Sequence, residues 1–147
     1  MQINKLNYNK YEKKILLGLS FLIFSCEQEG VLVKQNTTLK VSESAVLLQT
    51  GNFLPTSGIS AVGKVDLFLD KEQYKLKLSD VMVSSGPDLR VYLSKSDTTN
   101  SVINLGNFMN NETTTYLIPS GINIKEYRYV LIHCQQYDHI FATALLK

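Results

Sequence analysis

A strict alternation of apolar and charged residues in the middle of the chain is the feature that most limits how it can fold. The alternating run reads, in order, Tyr74, Lys75, Leu76, Lys77 and Leu78. Side chains on a β-strand point to opposite faces with a period of two, whereas a helical face repeats every 3.6 residues. The run is therefore predicted to be a strand with one buried face and one solvated face.

Segments of the same kind follow one another at short spacing through most of the chain. They are rich in Val, Ile, Tyr, Phe and Thr, and are separated by turn-forming residues such as Ser84–Asp88. The predicted strands are residues 45–49, 61–69, 73–79, 89–94, 102–108, 113–118, 127–134 and 140–146, with 54–58 as a loop and 81–83 either extending the third strand or starting another. We therefore predict an all-β fold, a sandwich or jelly roll of roughly eight short antiparallel strands.

The first 25 residues have the pattern of an export signal. A lysine-rich start is followed by the apolar run Ile15–Phe24, which is too short to cross a bilayer and fits the core of a signal peptide. Ser25 and Cys26 come next, and the chain then turns polar. The segment 23–26 resembles a bacterial lipobox, in which the cysteine is acylated and becomes the new N-terminus, although Phe24 is bulkier than the residue usual at its position.

This resemblance predicts three parts: a signal peptide over residues 1–25, a lipidated N-terminus and tether over 26–44, and a β domain over 45–147. It implies a lipid-anchored protein of the cell envelope. Gln28, rather than an aspartate, is the second residue after Cys26, which matches the outer-membrane lipoproteins of Gram-negative bacteria. Two alternatives stay open, namely ordinary cleavage that leaves Cys26 free to pair with Cys134, and a buried apolar helix with an incidental cysteine.

The basic balance of the chain belongs to its first residues. Residues 1–26 carry four of the fifteen basic residues and one of the thirteen acidic ones, so eleven basic and twelve acidic residues remain. Nucleic-acid binding requires a basic face, which this balance does not provide. The remaining length of about 120 residues suits a single domain.

Cys134 is the residue on which the functional interpretation depends. The chain has two cysteines, and if Cys26 carries the lipid, Cys134 has none left to pair with. An unpaired thiol is unusual in an exported protein. Alternation along the strand puts Cys134 and His133 on opposite faces, which argues against a metal held by both. Free cysteine is often buried and inert, so a structural role stands beside a redox role.

Two segments together resemble the DM-thirteen domain, a family proposed to act in electron transfer. They are the turn and strand Ser85–Ser94 and the strand and turn Tyr129–Tyr137, and the resemblance extends from about residue 45 to the C-terminus. Cys134 matches the cysteine of the family. The resemblance implies that this cysteine works as a bare thiol or holds a prosthetic group such as a non-covalently bound haem. The chain departs from the family pattern at Ala142, where glycine is common, and at His133, where a large aromatic residue is common.

The other candidate site residues are Arg90, Tyr92, His133 and Tyr137, which we predict as ligand-binding positions. Arg90 and Tyr92 share one face of a strand, although Arg90 is equally consistent with a solvated side chain. The sequence has no recognised spacing of metal ligands and no Cys-x-x-Cys-His motif for covalent haem, so no metal is assigned and the residues themselves require no cofactor. No catalytic constellation is visible.

Two functional hypotheses follow for the mature protein. In the first, a membrane-anchored redox or electron-transfer module acts through Cys134 on an unidentified redox or protein partner. In the second, the domain is a non-enzymatic ligand-binding or adhesion sandwich in which Cys134 is a structural core residue. The two hypotheses make different predictions about the exposure and the substitution of this one side chain.

Overall fold

The computed structural model describes residues 39–147, which form two antiparallel β-sheets packed as a sandwich. The signal segment, Cys26 and most of the predicted tether lie outside the described residues. In sheet order, one sheet is β1-β3-β4-β7 and the other is β2-β9-β8-β5-β6. The prediction of an all-β sandwich is confirmed. No helix among the described residues is long and apolar enough to cross a membrane.

Residues 39–147 contain nine strands, which are connected by turns and loops. Their bounds are β1 Val46–Asn52, β2 Leu54–Pro55, β3 Ala61–Asp70, β4 Gln73–Val83, β5 Leu89–Ser94, β6 Val102–Asn107, β7 Thr114–Leu117, β8 Tyr129–Cys134 and β9 His139–Leu145. A single turn of 3-10 helix, Ile124–Glu126, precedes β8. Eight of these strands correspond to predicted ones, and residues 81–83 extend β4. The loop prediction for 54–58 was wrong at its start, because Leu54 and Pro55 pair with β9 at the edge of the second sheet.

The alternating run Tyr74–Leu78 lies in β4, where the expected division of faces holds. Leu76 and Leu78 are fully buried between the sheets, whereas Lys75 and Lys77 point to the other face and are only partly covered. Strand β8 departs from alternation because its residues are buried on both faces from Val130 to Cys134. Such a strand occupies the middle of its sheet, between β5 and β9.

A cluster of hydrogen bonds fastens the start of the described chain to the tip of the β3–β4 hairpin. The Asp70 carboxylate accepts bonds from the Ser42 backbone N–H at 3.0 Å, from Ser42 Oγ at 2.6 Å and from Lys75 Nζ at 2.7 Å. Lys75 also donates to the Lys40 carbonyl at 2.8 Å. The sequence indicated only a polar tether here, and the structure shows that residues 40–42 are held against the domain.

These bonds predict that acid weakens the fold. The hydrogen bond from Lys75 and those from Ser42 hold the pKa of Asp70 well below its ordinary value of 3.8. A carboxylate with a lower pKa in the folded than in the unfolded state stabilises the fold at neutral pH, and that contribution is lost as pH falls below about 4. We expect the urea midpoint of unfolding to fall between pH 5 and pH 3 by less in Asp70→Asn than in the wild type. The exposed Asp97→Asn should keep the wild-type pH dependence, and an equal decline in all three proteins would contradict the assignment.

The N-terminal segment and Cys134 lie at opposite ends of the sandwich. At one end lie the tip of the β3–β4 hairpin, Ser42 and the start of β8, and a groove of about 410 Å³ brings Leu69 and Tyr74 beside Lys125 and Arg128. We call this the tether end. At the opposite end, β4 leads through the turn at residues 84–88 into β5, and β8 leads through residues 135–138 into β9. Cys134 lies at this second end, about 17 Å along β8 from its start.

Candidate functional site

The side chain of Cys134 lies in the hydrophobic core between the two sheets. Cys134 is the last residue of β8, and it pairs across strands with Leu89 of β5 and with His139 of β9. It has no exposed surface and belongs to the same buried cluster as Val130 and Ile132, the residues that share its face of the strand. In this conformation the thiol is therefore shielded from any molecule in solution.

The turn before β5 packs closely against the end of the core that contains Cys134. Gly86 packs so closely that a Cβ at this position would lie 2.8 Å from Leu89 Cδ2 and 3.1 Å from Phe141 Cε2. The N–H of Gln135, the residue after the cysteine, donates to the Asp88 carbonyl at 2.8 Å. Gln135 itself is exposed. The thiol is thus one residue from solvent along the chain and is enclosed at the end where the turn before β5 meets the end of β8.

Three of the four predicted ligand-binding residues come together on the outer face of the same sheet. Arg90 pairs directly opposite His133, and Tyr92 lies two residues further along β5 on the same face. The rings of Tyr92 and His133 stack with centroids 5.2 Å apart and planes 26° apart. His133 and Cys134 therefore point to opposite faces of β8, as alternation predicts. Tyr137 lies in the turn between β8 and β9, with 64% of its surface exposed.

His133 is a buried polar side chain with one hydrogen-bonding atom left over. It is 4% exposed, and its Nε2 lies 3.1 Å from Oδ1 of Asp138, whose side chain is 90% exposed. Its Nδ1 is buried, and none of the described side-chain or backbone groups is a hydrogen-bond partner. An Nε2–H that donates to Asp138 leaves Nδ1 as the unprotonated acceptor, which is the tautomer that buries no unpaired N–H.

Arg90 is neither free nor fully solvated. Its Nε donates to Oδ1 of Asp88 at 2.6 Å, and its guanidinium also donates to the Asn107 side-chain oxygen. The Arg90 side chain is 30% exposed, so it is consistent with both sequence-based interpretations, the solvated side chain and the ligand-binding residue. The interpretation as a ligand-binding residue remains a prediction. Asp88, which the sequence indicated only as a turn residue, thus also positions Arg90.

No group of three or more His, Cys, Asp and Glu side chains within residues 39–147 is arranged to hold a metal ion. His139 is exposed and packs its ring edge against Phe141, with centroids 5.6 Å apart.

Sequence reasoning missed the link between Ser42 and Asp70, because a contact between residues 28 positions apart leaves no local pattern.

A comparison with models of protein families identifies the family to which the chain is related. The family model described as Electron transfer DM13 matches residues 55–146, which is more than half of the chain. The chain belongs to the DM13 family. The match begins at the second residue of β2 and ends just after β9, so the DM13 region holds every strand except β1 and the first residue of β2. The searches of curated proteins and of solved structures gave no match.

The DM13 resemblance raised the possibility that Cys134 ligates a haem, and the residues around the sulfur do not fit one. An axial ligand must reach the iron of a flat, bulky macrocycle. The Cys134 sulfur instead lies in a packed apolar core without exposed surface. A haem on Cys134 would require that Leu89 and Phe141 leave their positions.

Proposed function

We propose that this protein is a lipid-anchored electron-transfer module of the cell envelope whose redox group is the thiol of Cys134. The family supports the class of function. Cys134 is chosen as the redox group because it is the only cysteine among the described residues and is free of a disulfide. The observation that carries the proposal is the location of Cys134 at the end of β8, where the chain continues into the exposed Gln135 and the Gly86–Leu89 turn packs against Phe141.

The chemistry that suits a lone thiol is exchange with a disulfide. The Cys134 thiolate attacks one sulfur of a partner's disulfide, a mixed disulfide forms, and the partner's other sulfur leaves as a thiolate. In this step the Cys134 sulfur is oxidised and one sulfur of the partner is reduced, while the partner's second sulfur is held in the mixed disulfide. Two thiols of a reductant, acting one after the other, release that second sulfur and then Cys134 as thiolates and become a disulfide themselves, so two electrons pass from the reductant to the partner through Cys134. The step requires the attacking sulfur to reach its target in line, which the closed conformation does not allow.

The proposed function therefore includes a local opening at this end of the sandwich. Such an opening would include breaking the bond between the Gln135 N–H and the Asp88 carbonyl, which ties the end of β8 to the turn before β5. Local openings of this kind cost less free energy than global unfolding. A partner that binds the turn residues and draws them away from Phe141 would expose the sulfur only in the complex. This arrangement would protect the thiol from unrelated oxidants.

A functional comparison of Cys134→Ala with Ile132→Val tests this proposal. Both substitutions remove a small buried group from the same face of β8, and each should cost about 1 to 2 kcal/mol of stability. We expect membranes from cells that express Cys134→Ala to pass electrons to an artificial acceptor no faster than membranes without the protein. Ile132→Val should retain the wild-type rate. If Cys134→Ala also retains that rate, the thiol is not the redox group.

A second candidate function is a ligand-binding module in which Cys134 only fills space. Its complete burial in an apolar cluster favours this alternative, because buried free cysteine commonly acts as a small hydrophobe. In that case binding would involve the outer-face residues Arg90, Tyr92 and His133. Activity that survives Cys134→Ala but is lost in Tyr92→Ala would identify this second function.

The lipid anchor has a separate test on the mature protein. Acylation converts the Cys26 sulfur to a thioether, so the denatured protein from membranes should contain one titratable thiol per chain, that of Cys134. The Cys26→Ala variant should leave the membrane fraction while keeping its fold. Two thiols per chain, or a disulfide between Cys26 and Cys134, would contradict lipidation.

A further inference from the structure

Basic residues predominate in the lining of the two grooves at the tether end of the sandwich. Residues 39–147 contain ten basic and ten acidic residues, so the described domain is neutral. The two grooves at the tether end are nevertheless lined by five basic residues and two acidic ones. The basic residues are Lys40, Lys71, Lys75, Lys125 and Arg128. One of the two acidic residues, Asp70, is buried and already paired with Lys75.

The same end carries exposed apolar side chains. The start of β1 presents Val46, Leu47 and Leu48 with exposed fractions of 57%, 50% and 42%. Across the hairpin tip, Leu39 and Leu117 are 41% and 44% exposed and line the larger groove, of about 710 Å³. Apolar side chains rimmed by lysines form the pattern of a surface that enters the headgroup region of a bilayer.

The path of the chain leads from the anchor to this end. Leu39, the first described residue, lies in the larger groove, and the Ser42–Asp70 bonds hold the segment that follows it against the hairpin tip. Twelve residues separate Cys26 from Leu39, which limits the distance between them to about 45 Å. An acylated Cys26 would therefore attach the domain to the lipid at this end of the sandwich rather than at the opposite end.

We propose that the tether end is a membrane-contact surface that lies against anionic lipid headgroups and holds the Cys134 end away from the bilayer. The lysines and Arg128 attract the anionic headgroups, and Leu47 and Leu48 insert among them. The hydrogen bonds to Asp70 restrict the orientation of the sandwich relative to the bilayer, because they prevent residues 40–42 from acting as a flexible linker. This inference rests on the proposed lipid anchor. In this orientation a redox partner reaches the protein at the Cys134 end, which is the end farther from the membrane.

Lysine footprinting of the mature, lipidated protein tests this orientation. The protein is inserted into vesicles of phosphatidylcholine that contain roughly 30% phosphatidylglycerol, and an amine-reactive reagent marks its lysines. We expect Lys71 and Lys125 to react at least about threefold more slowly in vesicles than in detergent. Lys64, whose side chain is 50% exposed and which lies on β3 toward the other end, should react equally in both. High salt should weaken the protection, because it screens the charges.

Two matched double variants separate apolar insertion from a general effect of the substitutions. Leu47→Ser with Leu48→Ser should reduce the protection of Lys71, whereas Val62→Ser with Met82→Ser should not. The control pair is equally exposed, at 53% and 52%, and lies at the opposite end. Protein that floats with vesicles while Lys71 and Lys125 react as in detergent would overturn the orientation but leave the anchor intact. Protein that does not float would contradict the anchor and, with it, this inference.

Discussion

The Cys134 thiol of the folded protein is expected to react with a soluble thiol reagent at least about 100-fold more slowly than that of the denatured protein. The physical reason is its complete burial, which requires the Gly86–Leu89 turn or the end of β8 to open before a reagent can enter. Each factor of ten in rate corresponds to about 1.4 kcal/mol of opening free energy, and global stabilities are about 5–15 kcal/mol. The measurement is labelling of residues 27–147 in native buffer and in concentrated denaturant.

An exposed reference cysteine makes this measurement quantitative. Ser57→Cys places a thiol in a solvent-exposed turn of the same chain, and it should label in native buffer nearly as fast as in denaturant. The opening free energy of the Cys134 end follows from the ratio of the two native rates. If Cys134 labels as fast as the reference cysteine, the thiol is not enclosed, and both the structure at this end and the proposed role of a partner in opening it are wrong.

The Gly63→Ala substitution should destabilise the protein by about 2–4 kcal/mol. Gly63 lies at the β-bulge between β3 and β4, where its φ of +124° is one that L-residues rarely adopt. A Cβ at this position would lie 2.5 Å from the Val81 Cα and 2.8 Å from the Asp80 carbonyl oxygen, and backbone atoms cannot yield as a flexible side chain can. Urea unfolding of the purified variant gives the change in free energy directly.

Gly58→Ala is the control for this prediction. Gly58 also has a positive φ, of +78°, but an added Cβ would meet no atom within 4 Å. The control isolates the backbone strain, which should cost about 1–2 kcal/mol. The difference between the two variants then measures the clash at the bulge. Equal losses in both variants would mean that the close approach of β3 to β4 at Val81 contributes nothing.

Local patterns in the sequence were sufficient for the class of fold and for eight of the nine described strands. The alternation of Tyr74, Leu76 and Leu78 with lysines predicted a half-buried strand, because the period of a strand depends only on neighbouring residues. The strand at Leu54 and Pro55 was missed, since two residues carry no period and their pairing with β9 is a long-range contact. Strand order within each sheet was not predictable for the same reason.

The candidate site was partly predictable. Alternation along β8 separated His133 from Cys134, and the shared face of Arg90 and Tyr92 followed from the same rule. That His133 stacks on Tyr92 depends on the register of β5 against β8, which the sequence does not specify. The burial of Cys134 was open in the sequence because the residue ends its strand, where exposure depends on the turns that other segments contribute.

The most direct test of the proposed function is the oxidation state of Cys134 in the protein's own membrane. Cells are quenched in acid, free thiols are blocked, reversibly oxidised thiols are then reduced and labelled, and the peptide that contains Cys134 is analysed by mass spectrometry. We expect part of Cys134 to be reversibly oxidised, and we expect this fraction to change when the cells move between oxidising and reducing growth conditions. If Cys134 is a fully reduced thiol in every condition, the electron-transfer proposal for this residue is contradicted, and Cys134 is a packing residue of the core.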